Sequence, residues 1–404
     1  MARYGIVADF LFEGGSEAVV EEICATFPDC EVYTAIYDPA EISRYPSLDL
    51  AWREGRLHAS AAQALFRWPA LLRHLSVYHF YWLYFLTTAL QKTQKHEVVI
   101  VSCAAQSKLT HIAPGARVIV YFHTPTRWLY RGLVTKADLA AIPPLLRPAF
   151  AVLNTLLRPL DRLGIRRLRR HDPVWLCNSS YTREMLQKTY GVDCEVLYPP
   201  VEVRGFDWTR RQPGDFFLYH GRLSFQKRVD VAIEGCLLAR RKLVISGRSV
   251  TPEVQRHLEG VVVAAVSRDP SLAGLVTFLG RTSDDELGEL FATCRALVFP
   301  PREDFGITPL EAMASGTPVI AYGAGGALDY VQPDVNGVFF AEQTGEALAT
   351  AIAGFDDKAF DPETVARSVV AFTSDRFGAE IRSIAEGSRR IEIHDNPSEN
   401  EETA

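Results

Sequence analysis

The stretch that decides the second half of the fold is Arg302-Glu303-Asp304-Phe305-Gly306-Ile307-Thr308-Pro309-Leu310-Glu311. The apolar run Ala296-Leu297-Val298-Phe299-Pro300 before it predicts a buried strand. Thr308 stands where an N-cap belongs, Pro309 suits the first helical position, and the later Gly316 ends the helix. The segment therefore predicts a strand, a loop and a helix, with free backbone N–H groups at the helix start facing the loop.

Two glutamates, Glu303 and Glu311, stand eight positions apart in this stretch. A helix start attracts phosphate, because its free N–H groups and the positive end of its dipole point outward. Both carboxylates would then lie beside whatever the phosphate carries. The segment predicts, in outline, a site for a sugar nucleotide.

The whole chain has the pattern of an α/β protein. Apolar runs that predict strands alternate with helical patterns, as in parallel sheets built from βαβ units. Turn-forming and charged residues cluster between Pro199 and Gly214, where we place a linker between two domains. The predicted strands are Tyr4–Ala8, Glu31–Tyr37, Val98–Ser102, Val118–Phe122, Val174–Asn178, Glu195–Tyr198, Phe216–His220, Lys242–Ser246, Val276–Leu279, Ala296–Phe299 and Pro318–Ala321.

Four motifs resemble, in their order along the chain, those of one known family. They are Gly14-Gly15-Ser16-Glu17, Tyr121-Phe122-His123-Thr124-Pro125-Thr126-Arg127-Trp128, Tyr219-His220-Gly221-Arg222-Leu223-Ser224-Phe225-Gln226-Lys227-Arg228-Val229-Asp230, and the stretch with the two glutamates. The family is that of the retaining GT-B glycosyltransferases, glycosyltransferase family 4, which includes mannosyltransferases and sucrose synthases. The motifs look most like those of bacterial GDP-mannose-dependent mannosyltransferases of polysaccharide assembly.

The resemblance implies a GT-B fold, in which two Rossmann-like domains face each other across a cleft. It implies an acceptor-binding domain over residues 1–200 and a nucleotide-sugar-binding domain over residues 201–372. A helix over residues 373–390 is expected to cross back onto the first domain. Residues 391–404 are acidic and polar, and we expect them to be disordered.

Two cations that follow the strand Phe216–His220 are candidates for phosphate contacts. A departing diphosphate gains negative charge, which a metal ion, cationic side chains or N–H dipoles can stabilise. No Asp-x-Asp pair follows a predicted strand, so we expect no metal or other cofactor to be required and assign this role to Arg222 and Lys227. Alone, both would read as ordinary surface cations of a loop, and the glutamate motif downstream favours the binding role.

The resemblance assigns the remaining donor contacts. It implies that Glu311 accepts hydrogen bonds from the ribose hydroxyls, although Thr308-x-x-Glu311 is also the pattern of a capping box. Glu303 is expected at the transferred sugar. Backbone N–H groups are expected at the distal phosphate and sugar, those of Phe305, Gly306, Ile307 and Thr308. Gly14 and Gly15 would approach the diphosphate from the other domain. From their position at the ends of two predicted strands, Ser246-Gly247-Arg248 and Gly280-Arg281-Thr282 are expected near the base, with Arg281 in contact with it.

His123 follows a predicted strand and precedes Thr124-Pro125. A histidine there is often only a satisfied loop residue, but the resemblance implies that it contacts the transferred sugar and, with Glu303, Arg222 and Lys227, makes up the catalytic set. Arg127 and Trp128 follow closely and are candidates for an acceptor platform. The mechanism implied is metal-independent transfer with retention, in which a donor phosphate oxygen takes the proton of the attacking hydroxyl.

Composition excludes several other classes of protein. The chain has 404 residues, 48% hydrophobic and 23% charged, as in globular proteins with two cores. A net charge of −6 gives no sign of a nucleic-acid partner. The seven cysteines form no Cys-x-x-Cys pair, and the N-terminus lacks the layout of a signal peptide. We therefore expect a cytoplasmic protein, associated with the inner face of the cell membrane if its acceptor is lipid-linked.

Two regions bear on that membrane contact. Residues 66–90 are crowded with aromatic side chains, which suit either a core helix bundle or a lipid interface. Residues 158–170 contain six arginines and one aspartate among regularly spaced leucines. That pattern suits either a solvated helix face or an anionic membrane surface.

Other functions stay open at this point. A phosphorylase-like enzyme would need a lysine that carries pyridoxal phosphate, and no segment marks one. A pseudo-transferase that only scaffolds a polysaccharide machine would not need all the polar residues present. Within the transferases, a UDP-sugar donor (glucose, galactose or N-acetylhexosamine) is the main alternative to GDP-mannose. A saccharide, a lipid-linked saccharide or a small natural product would each serve as acceptor.

Overall fold

The structure is a computed structural model that describes residues 3–12, 14–66, 81–130, 147–203 and 205–388. Part of the aromatic region and the predicted acidic tail lie outside these residues. The described residues form two parallel sheets, each flanked by helices.

The first sheet has seven strands in the order β3-β2-β1-β4-β5-β6-β7, all parallel. Its central strands are continuous apolar runs such as Val98-Val99-Ile100-Val101, because both faces of the sheet are covered. The strands are β1 Tyr4–Leu11, β2 Glu31–Tyr37, β3 Leu57–Ala59, β4 Val98–Cys103, β5 Arg117–Phe122, β6 Val174–Cys177 and β7 Glu195–Val196.

The second sheet has six parallel strands in the order β10-β9-β8-β11-β12-β13. The strands are β8 Phe216–His220, β9 Lys242–Ser246, β10 Val276–Gly280, β11 Leu297–Phe299, β12 Val319–Tyr322 and β13 Gly337–Phe340. The order of strands is the same in the two sheets: the third, second and first strands of each domain, then the fourth, fifth and sixth. The α/β class predicted from the sequence is confirmed.

The helices of the described residues cover the sheets on both faces. They are Gly15–Thr26, Pro39–Ile42, Pro46–Arg53, Gln63–Phe66, Tyr81–Leu90, Arg147–Arg169, Ser180–Tyr190, Val229–Leu238, Pro252–Arg268, Asp284–Thr293, Thr308–Ala314, Gly345–Ala353, Pro362–Arg367 and Ser374–Glu386. No helix of the described residues is long and apolar enough to cross a membrane.

All eleven predicted strands are present, with ends that differ by at most three residues. The prediction missed β3 and β13, which lie at the outer edges of the two sheets. Leu57-His58-Ala59 is too short for an alternating pattern, and β13 begins at Gly337, a residue type depleted in strands. Sequence pattern therefore identifies the buried centre of a sheet more readily than its edges.

The last helix, Ser374–Glu386, packs on the first domain. Phe377, Ile381 and Ile384 are fully buried in the same core as Ile6 and Val19. The first sheet ends at Val196 and the second begins at Phe216, so the chain runs through both domains and then returns. The exact domain boundaries given above stay a prediction.

Helix Arg147–Arg169 contains the arginine-rich stretch and carries one buried acid. Asp161 is fully buried and pairs with Lys108, Oδ1 to Nζ 2.8 Å, a side chain that is 1% exposed. Thr126 and Tyr130 donate hydrogen bonds to the same carboxylate, each over 2.8 Å. Asp161 thus ties this helix into the first domain, while Arg162, Arg166, Arg169 and Arg170 stay exposed.

We predict that Phe377→Ala lowers the free energy of unfolding by about 3–5 kcal/mol, because it leaves a cavity where the last helix meets the first domain. Urea unfolding followed by circular dichroism measures the change. The matched control is Glu386→Ala, an exposed change on the same helix, which we expect to alter stability by less than about 0.5 kcal/mol. Equal stabilities of the two variants would show that the helix is not held in this way.

Candidate active site

The structure brings Glu303 and Lys227 together between the two domains. The Oε2 atom of Glu303 lies 2.8 Å from Nζ of Lys227, and both side chains are 25% exposed. Lys227 ends the short 3-10 turn Phe225–Lys227 after β8, and Glu303 follows β11. Since β8 and β11 are the neighbours at which the strand order reverses, the pair sits at the crevice where parallel sheets bind ligands.

Glu303 carries its negative charge among several cations. Burial by itself raises the pKa of Glu303, whereas the charge of Lys227 and its hydrogen bond lower it. Arg127 and Arg222 lower the pKa further, so it lies below its ordinary value. Glu303 is therefore ionised at neutral pH and accepts hydrogen bonds only.

Asp304 joins the Glu303 loop to the first domain. Its carboxylate pairs with the Arg127 guanidinium, and its backbone oxygen accepts a hydrogen bond from the Ser179 hydroxyl. A further contact between the domains runs from the Ser180 N–H to Asp329 Oδ2, 2.7 Å. Asp304 thus fixes the Glu303 loop against the first domain.

Backbone N–H groups at the next four positions are unused. Within the described residues, those of Phe305, Gly306, Ile307 and Thr308 donate no hydrogen bond, which leaves four donors for a ligand. Gly306 has φ +92°, and a Cβ there would lie 2.7 Å from Phe299 Cζ, so only glycine fits. The Phe305 ring is buried against Tyr330 and anchors the loop.

The prediction that Thr308 is the N-cap of this helix was wrong. The helix begins at Thr308 with Ile307 as its N-cap, and no side chain caps it. The capping box from Thr308 to Glu311 is therefore not formed. Pro309 is at the second helical position. Proline has no N–H there, which costs nothing, because the first four N–H groups of any helix lack a partner within the helix.

Glu311 has a carboxylate that makes no hydrogen bond within the described residues. Burial, with a smaller effect from Asp284, raises the pKa of Glu311 to about 7. Ionisation of a buried carboxyl group that has no hydrogen-bond donor costs stability. Glu311 is therefore suited to a ligand that donates hydrogen bonds to it. The ribose contact implied by the resemblance is compatible with this position and stays a prediction.

The glycine turn of the first domain faces the start of this helix. A Cβ at Gly15 would lie 3.3 Å from Ile307 Cδ1, so the two domains nearly touch here. The Gly15 N–H has no acceptor within the described residues. Gly14 precedes helix Gly15–Thr26, and its N–H lies 3.5 Å from the Tyr45 hydroxyl. The turn therefore closes one wall of the cleft around the unused N–H groups.

His123 follows β5 and is held from within the first domain. Its Nε2 lies 2.8 Å from Ser102 Oγ, and its backbone oxygen accepts a hydrogen bond from Asn178 Nδ2, 3.0 Å. Burial lowers the pKa of His123 to about 4, so the ring is neutral at pH 7. Nδ1 has no hydrogen-bond partner within the described residues and is open to a ligand.

A cavity of about 460 Å³ opens at the ends of β9 and β10, where the base was predicted. Gly247, Arg248 and Gly280 contribute to its lining. Next to the cavity, a chain of hydrogen bonds joins the ends of the three strands β8, β9 and β10: it runs from His220 Nδ1 to Ser246 Oγ, 3.0 Å, and on to Thr282 Oγ1, 2.7 Å. Arg281 is exposed beside it but does not line the cavity.

The structure separates the remaining candidates by position. Arg222 is exposed on the loop after β8 and acts on Glu303 through its charge. Arg127 pairs with Asp304 of the second domain, and its role at an acceptor stays a prediction. The Trp128 side chain is 38% exposed, and its role as an acceptor platform stays a prediction.

Sequence reasoning missed residues that support the loop from behind. The Gly326 N–H donates to the Glu303 backbone oxygen, 2.9 Å, and Gly325 has φ +75°. The Gly-x-Gly-Gly run at 323–326 was the available signal, since clustered glycines mark close approach of two backbones. Ser179 and Ser102 carried no signal of their own, because their partners lie far away in sequence.

The described residues contain no group of three or more His, Cys, Asp or Glu side chains placed to hold a metal ion. The seven cysteines are all free and buried.

Comparisons with known proteins agree with this geometry. Residues 206–358 match the family model described as Glycosyl transferases group 1. One sequence relative is an uncharacterized glycosyltransferase of Methanocaldococcus jannaschii, which is 33% identical over 33% of each chain. Another is the alpha-1,3/1,6-mannosyltransferase ALG2 of Homo sapiens, which is 28% identical over 45% of this chain and 49% of its own. The lipopolysaccharide core biosynthesis mannosyltransferase LpcC of Rhizobium leguminosarum is 33% identical over 41% of this chain and 48% of its own. The chain thus spans between a third and a half of these relatives.

Solved structures share the fold over nearly the whole chain. HepE of Anabaena, solved with UDP, has a TM-score of 0.63 at 16% identity over 95% of this chain and all of its own. A sucrose-phosphate synthase of Thermosynechococcus elongatus has a TM-score of 0.64 at 16% identity over 96% of this chain and 99% of its own. The protein has the GT-B fold, two Rossmann-like domains, and its second domain carries the sequence pattern of the glycosyl transferases of group 1.

We predict that Glu311→Gln stabilises the protein at pH 8 and has little effect at pH 5. The folded pKa of Glu311, about 7, lies above that of the unfolded chain, about 4.3. The native state therefore holds the proton more tightly, and stability is lost as pH rises from about 4.3 to about 7. Melting temperatures of both proteins from pH 5 to 8 measure the effect, and a constant difference across this range would contradict it.

We predict that Gly326→Ala disrupts the Glu303 loop, because a Cβ would lie 2.5 Å from the Asp304 backbone oxygen. Overpacking of this kind costs about 1–3 kcal/mol, measured by urea unfolding. Gly354→Ala is the matched control, since its Cβ would lie 3.8 Å from the Thr350 backbone oxygen, an ordinary contact distance. The account is wrong here if the two alanines have the same effect.

Proposed function

We propose that this protein is a retaining, metal-independent glycosyltransferase that moves a hexose, mannose from GDP-mannose, onto a saccharide or lipid-linked acceptor. The observation that supports it best is the ion pair of Lys227 with Glu303 at the switch point of the second sheet, below the glycine turn of the first domain. Its relatives include proteins named as mannosyltransferases.

The proposed donor binds between the domains. Arg222 and Lys227 hold the diphosphate, and the unused N–H groups from Phe305 to Thr308 approach its distal phosphate and the sugar. Arginine offers a planar fork to phosphate oxygens and lysine a compact charge. These groups are in place before the bond breaks, so they stabilise the charge that grows on the leaving diphosphate.

Glu303 and His123 act at the sugar. An ionised Glu303 accepts hydrogen bonds from sugar hydroxyls and stabilises positive charge at the anomeric carbon. His123, neutral at pH 7, contacts the sugar through a ring nitrogen without adding a charge. In retention by front-face attack, the acceptor hydroxyl enters on the side that the diphosphate leaves, and a phosphate oxygen takes its proton. No side chain then has to act as a strong base.

A UDP-sugar donor is the second candidate. HepE, which has the same fold, was solved with UDP and with UDP-glucose. The cavity at Gly247, Arg248 and Gly280 is the proposed base site, and its described lining gives no contact that distinguishes guanine from uracil.

Titration of the protein with GDP-mannose, UDP-glucose, GDP and UDP in the presence of a chelator tests the proposal. A ligand that binds the native state raises stability by ~2.7 kcal/mol at a hundredfold excess over Kd, seen as a higher melting temperature. We expect a shift with the guanine ligands alone. A shift with the uridine ligands alone would show that the donor is a UDP-sugar and not GDP-mannose. No shift with any of the four ligands would contradict the proposed donor site.

We predict that Glu303→Ala and Arg222→Ala each lower turnover by about 100-fold or more, while melting temperature changes little. Each removes a charge that faces the proposed donor and little packing, since both side chains reach solvent. The matched control is Arg241→Ala, an exposed arginine just before β9, which should keep full activity. Near-normal rates in both site variants would contradict the assignment.

A further inference from the structure

A second concave region lies at the end of the first sheet that is opposite to the cleft. Helix Arg147–Arg169 ends just before β6, and the segment after Leu109 leads into the start of β5. Between them is a cavity of about 320 Å³, at the amino ends of these strands. His123, at the far end of β5, faces the cleft, so the two places are separated by the length of the strand.

The described residues that line this cavity are basic or uncharged. They include Arg167, Arg170, His111 and His171, and no carboxylate. Neither arginine has an acidic partner within the described residues. Burial and, to a smaller extent, the neighbouring His111 lower the pKa of His171, so the two imidazoles lie close enough to influence each other.

Thr110 gives the cavity an unsatisfied polar group. Its side chain is 4% exposed, and Oγ1 is buried without a hydrogen-bond partner within the described residues. A buried hydroxyl without a partner is costly and usually marks a bound water or ion. Thr110 is also one of the residues that line the cavity, so its unsatisfied hydroxyl lies in the wall beside the cations.

The helix dipole explains the arginines at the end of this helix, but not the other residues that line the cavity. Arginines in a last turn interact favourably with the helix dipole, and Arg166, Arg167 and Arg169 all satisfy that condition. The dipole does not explain the two histidines or the open hydroxyl of Thr110. Those three belong to a cavity that is complementary to an anion.

We propose that this cavity binds a phosphoryl group, carried either by a soluble phosphorylated compound or by the headgroup of an anionic lipid. The guanidinium groups of Arg167 and Arg170 contact the phosphoryl oxygens, and the Thr110 hydroxyl donates a hydrogen bond to one of them. The imidazoles of His111 and His171 complete the ring of donors. The site is independent of the proposed donor site, which lies at the other end of the strands.

Calorimetric titration with inorganic pyrophosphate at constant ionic strength tests this proposal. The test variant is Arg167→Gln with Arg170→Gln, and the matched control is Arg162→Gln with Arg166→Gln, which removes the same charge from exposed positions of the same helix. We expect the test variant to lose at least about tenfold in affinity at one site, and the control to bind as the wild type does. Equal binding by all three proteins would overturn the proposal.

The wild type, the test variant and the control variant have the same cleft, so any pyrophosphate that binds there contributes equally to all three. The difference between the variants therefore does not depend on the proposed function. Thr110→Val adds a second readout. It should weaken pyrophosphate binding at the same site without lowering the melting temperature of the free protein, because the lost hydroxyl had no partner. Unchanged affinity in this variant would remove Thr110 from the site and contradict the argument from its open hydroxyl.

Sedimentation with vesicles separates the two sources of the phosphoryl group. Binding to phosphatidic acid vesicles that is absent with phosphatidylcholine, lost in the Arg167/Arg170 variant and competed by pyrophosphate identifies a lipid headgroup. Pyrophosphate binding that requires these arginines, with no sedimentation, identifies a soluble ligand. Loss of vesicle binding to the same extent in the control variant would show a diffuse surface charge and overturn the site.

Discussion

The arrangement of the cleft depends on how charge is balanced around Glu303. Lys227, Arg222 and Arg127 are the three cations that lower the pKa of this carboxylate, and Asp304 beside it pairs with Arg127. Three positive charges thus face two negative ones at the meeting of the domains, and the excess favours an anionic ligand. Because Arg127 belongs to the first domain and Asp304 to the second, their ion pair also holds the domains together.

The fold places these charges at low cost. Parallel strands end at a common edge, and the reversal of strand order between β8 and β11 opens the crevice that Lys227 and Glu303 share. Glycines at 306, 325 and 326 let backbones approach where side chains would collide. The open carboxylate of Glu311 and the unused N–H groups beside it are unfavourable in isolation, which is typical of sites built for a ligand.

The sequence was sufficient for the α/β class, for the central strands and for the motif around Glu303, because these rest on local pattern. It did not predict β3 or β13, whose edge positions weaken the pattern, and it wrongly gave Thr308 the N-cap. Contacts such as Arg127 with Asp304 or Thr126 with Asp161 could not be read in advance, since they join residues far apart in the chain.

The most direct test of the account is a crystal structure of the protein with GDP-mannose. The account predicts a diphosphate within hydrogen-bond distance of Arg222 and Lys227, a ribose at Glu311 and a sugar between Glu303 and His123. Density for the nucleotide in another part of the molecule, or a diphosphate that touches neither cation, would contradict it.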